Sequence, residues 1–281
     1  MIELDIPRPK YTYDDKWSDN RGQSERYYHI SDWDPMPSVT TVLDMISKPP
    51  LKAWFQKISL KKLEEIALAT PWPEKPQRNE NKNNKLEDPN VYDRRIDRIW
   101  KRTVIGALKD ARQEPIRLRN TAADHGTRAH QAIHYVGNGG SVEDLEEEVV
   151  GTALAYQEWI RQANIKILHQ EIMVWHPSYN YAGTIDAVGV THDNKLVVVD
   201  WKTGSGIYSE SALQVSAYAA ALSQITSQPV DECWVVRIPK QSPDDPKVLE
   251  QKQVADWEHT FQSGFLPALY LWQTYHQPIW A

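Results

Sequence analysis

Three residues able to do chemistry fall close together in this chain: Asp186, Asp200 and Lys202. They lie in the stretch Gly183 to Tyr218, GTIDAVGVTHDNKLVVVDWKTGSGIYSESALQVSAY. Asp186 closes a short apolar run, the polar residues His192-Asp193-Asn194 break the chain, and Leu196 to Val199 then deliver Asp200-Trp201-Lys202. Strand side chains alternate faces, so Asp200 and Lys202 point the same way, roughly 6–7 Å apart, and Trp201 points oppositely. A hairpin turn at 192–194 would bring Asp186 beside Asp200. Two carboxylates and an ammonium at one sheet edge are the parts needed to hold Mg²⁺ and hydrolyse a phosphodiester. Alone, an acid-x-Lys pair at a strand end is more often a solvated edge pair. Its company here shifts the balance: Gly183 precedes Asp186 by three residues, and Gln214-x-x-x-Tyr218 follows Lys202.

The ordered set Gly183-x-x-Asp186, Asp200-Trp201-Lys202 and Gln214-x-x-x-Tyr218 resembles the PD-(D/E)XK nuclease superfamily. It is most similar to the RecB-type branch, which includes the mitochondrial genome maintenance exonucleases and many phage proteins. That branch carries a Gly-x-x-x-His helix upstream, matched here by Gly126-Thr127-Arg128-Ala129-His130. The resemblance covers roughly residues 120–240; each motif alone is weak, and the four in order are fairly specific. Ile185 stands before Asp186 where the name-giving pattern has Pro, a change the branch tolerates. The resemblance implies that Asp186, Asp200 and His130 hold Mg²⁺ or Mn²⁺, with the Trp201 carbonyl as a further ligand. It gives Lys202 the attacking water, to orient or deprotonate, and the developing negative charge to offset. Gln214 and Tyr218 order the site or touch DNA on the family reading, and simply pack on the ordinary one. Glu171, on the preceding strand, is a weaker supplementary acid for which a structural role is favoured. His130 and His134 sit four apart, but no Glu follows His130 as a zinc protease pattern requires.

Cys233 is the only cysteine, so neither an internal disulfide nor the four-cysteine iron–sulfur cluster of some RecB-type nucleases is possible. No apolar run approaches a membrane span, and the N-terminus MIELDIPRPK lacks a signal pattern. The expectation is a cytoplasmic protein of a bacterial or phage-infected cell, without membrane partners. The net charge of −6 is unevenly spread: Lys48 to Arg119 holds 18 Lys and Arg against 10 Asp and Glu, the remainder 14 against 28. A basic segment in an acidic protein reads either as one polyanion-binding face or as a solvated helix surface, with even weight. Arg94, Arg95 and Arg98 are the best phosphate-contact candidates by density.

The elements that must position these residues follow from periodicity. Arg26 to Ile30 reads as a short strand, Ser38 as the cap of a short helix, and Leu51 to Ala69 as a helix with Trp54 and Phe55 in a core. Residues 71–90, rich in Pro, Asn and charge, read as an exposed insertion. Helical patterns cover Tyr92 to Arg112, Ala122 to Val136, Glu143 to Ala163 and Ser209 to Leu222. Strands are expected at Ile165 to Trp175, Tyr181 to Val190, Lys195 to Lys202 and Val230 to Ile238. Asp256 to His276 is helical, with Pro267 expected to kink or break it.

The fold expected is therefore α+β: a restriction-endonuclease-like core, a mixed central sheet flanked by helices, with an N-terminal helical lobe. Residues 1–120 would form the N-terminal segment and lobe, and 121–281 the nuclease core with its C-terminal helix. The function expected is a metal-dependent DNA exonuclease acting on single- or double-stranded ends, with replication or recombination proteins as candidate partners. A structure-selective endonuclease of the same fold and a catalytically silent DNA-binding subunit are the alternatives; intact Asp186, Asp200 and Lys202 argue against the second.

Overall fold

The structure, a computed structural model, describes residues 2, 4–18, 23–31, 33–46, 49–70, 89–238 and 249–276. Its central sheet has five strands: β4 (Ile165–His176), β5 (Tyr181–Thr191), β6 (Leu196–Lys202), β7 (Glu232–Arg237) and β8 (Glu250–Gln253), in that spatial order. Only the β6–β7 pairing is parallel, with α5 (Ser209–Thr226) as its crossover, so the sheet is mixed as expected. Apolar side chains alternate along β6 between two cores. Val198 packs with α5 and the C-terminal helix α7 (Leu266–His276), whereas Val197, Val199 and Trp201 pack with α4 (Glu147–Ala163). Helices thus cover both faces of the sheet.

A second, three-stranded sheet precedes the core: β1 (Tyr11–Ser18), β2 (Gln23–Ile30) and β3 (Met36–Pro37). Tyr28, Ile30 and Met36 bury against Met173, Trp175 and Ala182 of β4 and β5. Helix α1 (Val39–Leu43) follows, its first turn capped by Ser38 Oγ, which accepts from the Thr41 amide. Residues Met1–Ser47 therefore belong to one compact unit with His125–Ala281, and Lys48–Asp124 forms the other. Grouping residues 1–47 with the helical lobe, as their place in the chain suggested, is corrected by this packing of β2 and β3 on the central sheet.

The second unit contains α2 (Pro49–Ala69), where Trp54 and Phe55 meet edge-on at 5.4 Å, and most of α3 (Pro89–Gly137). Two expected helices are in fact the single α3, which runs through Pro115. Proline in a helix interior costs about 3 kcal/mol, so sequence alone favours a break there. Most of the expected insertion, residues 71–88, lies outside the described residues. At the C-terminus, α6 (Trp257–Thr260) leads through one π-helical turn (Phe261–Phe265) into α7, of which Pro267 is the second residue. In that turn the Leu266 amide reaches back to the Phe261 carbonyl, just ahead of a proline that has no amide to offer.

Candidate functional site

Asp186 and Asp200 fall in one row across the sheet. The β5–β6 ladder runs from Val190↔Leu196 to Ala187↔Val199, and the next step of that register sets Asp186 opposite Asp200. Backbone pairing stops there. Instead the Trp201 amide donates to Asp186 Oδ2 at 2.7 Å, so the side chain replaces a ladder bond and fixes its own carboxylate. The β4–β5 register, Gln170↔Ala187 and Ile172↔Ile185, likewise sets Glu171 opposite Asp186.

At this point the backbone is irregular. Glu171 has φ +52, a left-handed conformation inside a strand. Ile185 packs in the α5-side core and Ala187, two residues on, in the α4-side core, so the strand changes face across Asp186. A non-glycine residue held this way costs on the order of 1–3 kcal/mol, and such strain concentrates at functional sites.

His130 comes from α3, one turn after Gly126, and its Nδ1 lies 3.3 Å from Asp186 Oδ1. Gly126 faces the loop after β6, where an added Cβ would stand 3.4 Å from Thr203 Oγ1. Among the described residues, His130, Glu171 and Asp186 each offer one ligand atom, all within 4.8 Å of one another. Asp200 is not part of that group. It is buried, with Lys202 Nζ 2.7 Å from its Oδ2, and no hydrogen-bond donor among the described residues is aligned on that oxygen. Lys202 also donates to Gln214 Oε1 at 2.8 Å, and Gln214 Nε2 donates to the Tyr218 hydroxyl at 3.0 Å. Gln214 and Tyr218 thus form, one turn apart on α5, a polar chain ending at the ammonium. The Tyr218 ring fills the space beside Gly183: an added Cβ would stand 2.5 Å from it. That close approach explains the glycine three residues before Asp186.

Trp201 points away from these groups, as strand alternation predicts, and its ring meets Trp159 at 4.9 Å and Tyr156 at 5.6 Å. Arg98 is exposed on α3 in the other unit. The side chains of Arg94 and Arg95 lie outside the described residues.

The electrostatics are those of a site crowded with negative charge. Partial desolvation within the cluster and the neighbouring Asp186 raise the solvent-exposed Glu171 to about 7, with His130 opposing. Burial would lower His130, but the charge and hydrogen bond of Asp186, aided by Asp200 and Glu171, outweigh it and lift the imidazole to about 9. Burial also raises the Asp200 carboxyl, with Lys202 pulling against it and Asp186 adding to the rise. Lys202 is held above its ordinary value, because the two aspartates outweigh its own burial. Asp200 and Lys202 are pushed in senses that do not both favour the ion pair. The charged ammonium is the firmer of the two, since two acids face it. Two carboxylate oxygens and one imidazole nitrogen in reach of one point, beside a buried carboxylate oxygen with no aligned donor, suit a divalent cation.

A family model for the PD-(D/E)XK nuclease superfamily matches residues 63–270. The chain belongs to this superfamily of nucleases, which use divalent metal ions. No curated protein matches it. Among solved structures, it is 14% identical to SSO0001, covering 52% of this chain and 72% of that one at a TM-score of 0.26. It is likewise 14% identical to an alkaline exonuclease, LHK-Exo, from Laribacter hongkongensis, covering 59% and 82% at a TM-score of 0.27. Both likenesses are remote, and the family assignment rests on the sequence match.

Glu171, read from the sequence as a weaker supplementary acid, stands in the group of ligand atoms where Asp200 was expected. Its place beside Asp186 depends on strand register and on a left-handed residue, neither of which has a local pattern. Three acids on three consecutive strands were the available signal.

Proposed function

We propose that this protein is a divalent-metal-dependent DNA exonuclease. The observation that carries the reading is the cluster of His130, Glu171 and Asp186 within 4.8 Å, beside the Lys202–Asp200 ion pair. His130, Glu171 and Asp186 would hold Mg²⁺ or Mn²⁺, with Asp200 and the Trp201 carbonyl completing the donor set. When bound, the ion supplies positive charge against the developing phosphorane and lowers the pKa of water. Asp186 is oriented by the Trp201 amide, so its second oxygen faces His130 without adjustment. Lys202 is fixed by Gln214, whose own rotamer is fixed by Tyr218. That relay holds the ammonium for the water and the phosphoryl oxygens. Its raised pKa favours orientation and charge offset over proton abstraction.

DNA ends as the substrate, and the exonuclease mode, are supported by the motif resemblance to the RecB-type branch. The basic residues from Lys48 to Arg119 would carry the flanking strand, with Arg94, Arg95 and Arg98 on its phosphates. A cytoplasmic setting beside replication or recombination proteins goes with that reading. None of the described helices is long and apolar enough to cross a membrane. Digestion of end-labelled linear and circular DNA, single- and double-stranded, with Mg²⁺ or Mn²⁺ tests the reading. Linear forms should be degraded and circles spared. Cut circles would make the protein an endonuclease, and binding without cutting of any form would make it a silent relative.

A further inference from the structure

Glu171 and Asp186 open into a cavity of about 560 Å³ that is also lined by the β1–β2 hairpin. Tyr13, Arg26 and Tyr28 line it together with His130, Glu171 and Asp186. The register Tyr13↔Tyr28 puts these side chains on one face of the hairpin. The Arg26 guanidinium lies over the Tyr13 ring, 4.7 Å from its centroid, and the Tyr13 and Tyr28 rings are 6.0 Å apart. Tyr13 is 55% exposed, whereas Tyr28 is buried and its hydroxyl lies 3.0 Å from Thr184 Oγ1, two residues before Asp186. Arg26 is held by its backbone too: its amide donates to Thr41 Oγ1 at 2.9 Å and its carbonyl accepts from the Ser38 amide at 2.8 Å. The wall is anchored at its base and presents π surface at its rim.

Resting on the nuclease reading, we propose that this wall stacks an unpaired nucleobase beside the scissile phosphate, so that the substrate enters single-stranded. A duplex turns its bases inward and offers sugar and phosphate, for which a tyrosine face is a poor partner. An unstacked base matches both an aromatic ring and a guanidinium plane. The same face continues through Tyr11, whose ring is 6.1 Å from that of Tyr28, into an adjoining cavity of about 470 Å³ lined by Arg8 and Pro9. Glu171 lines both cavities, so the next nucleotide has a path past the acids.

The test is metal-free binding of single-stranded oligonucleotides carrying 2-aminopurine, alongside duplexes of the same sequence. The intact protein should bind the single strand more tightly and quench the probe. Tyr13→Leu should weaken that binding roughly ten- to a hundredfold and abolish the quenching, while Tyr13→Phe retains both. Mn²⁺ binding at the acids, read by electron paramagnetic resonance, should be equal in all three proteins. Unchanged binding in Tyr13→Leu, with only its melting temperature lowered, would make the Arg26–Tyr13 pair merely a cross-strand support and overturn the proposal. So would a preference for duplex. Failure of the intact protein to hydrolyse any DNA form under Mg²⁺ or Mn²⁺ would instead overturn the nuclease reading, and the stacking signal would still decide the role of the wall.

Discussion

Lys202 is the side chain whose role is most sharply separable from binding. Its ammonium is held by Asp200 on one side and Gln214 on the other. A charge placed for the transition state lowers turnover when removed and leaves ground-state binding almost intact. Removing a comparable electrostatic donor in other hydrolases costs about 10²–10³ in rate. Lys202→Ala should therefore bind linear DNA nearly as the parent does and cleave it at least about a hundredfold more slowly. Equal loss of binding and cleavage, measured by titration and single-turnover kinetics, would make the lysine a structural partner of Asp200. His176 illustrates the opposite kind of ionisable residue. It is buried among Tyr179, Tyr181 and Phe261, and burial lowers its pKa from 6.5 to about 4. The unfolded chain takes up this proton below pH 6.5 and the folded protein does not until about pH 4. Stability present above pH 6.5 is thus lost as the pH falls toward 4, by up to about 3 kcal/mol at 1.36 kcal/mol per unit. Urea melts of His176→Phe across that window should show a shallower decline than the parent.

At the scale of elements, β4 carries the local conflict between stability and function. Glu171 occupies a left-handed conformation that glycine adopts freely and alanine does not. Glu171→Gly should melt above Glu171→Ala by about 1 kcal/mol of stability, although both lose the carboxylate and with it metal-dependent cleavage. Equal melting would show that the conformation carries no strain. This strand also marks the limit of what the sequence made legible. Asp186, Asp200 and Lys202 could be read because hairpin and alternation are local rules, and Gln214 with Tyr218 because one helical turn relates them. Glu171 depends on pairing between β4 and β5 and on a φ that no motif encodes. The aromatic wall depends on pairings such as Tyr28 with Thr184, residues 156 positions apart. Helix α3 reads as two helices because local propensity at Pro115 favours a break that the folded chain does not make.

Across the whole molecule, charge follows the division into compact units. Lys48–Asp124 is one unit, and the excess of 18 basic over 10 acidic residues falls at Lys48 to Arg119 within it. A solvated helix surface would give the same excess, so the distinction must come from salt dependence. Neutralising Arg94, Arg95 and Arg98 together should weaken DNA binding and lower the log–log salt slope by about 0.7 to 0.9 for each phosphate they no longer neutralise. An unchanged slope would leave these arginines as solvation alone. In the other unit, His130, Glu171 and Asp186 are proposed to hold a divalent ion. Asp186→Asn keeps an oxygen for the Trp201 amide and removes the charge, so it tests the ion without dismantling the strand. Titration of Mn²⁺ into the intact protein, read by the electron paramagnetic resonance of the free ion, addresses this directly. Saturable binding in the parent that is lost in Asp186→Asn is the predicted result. Equal binding by the two proteins, or none by the parent, would contradict it.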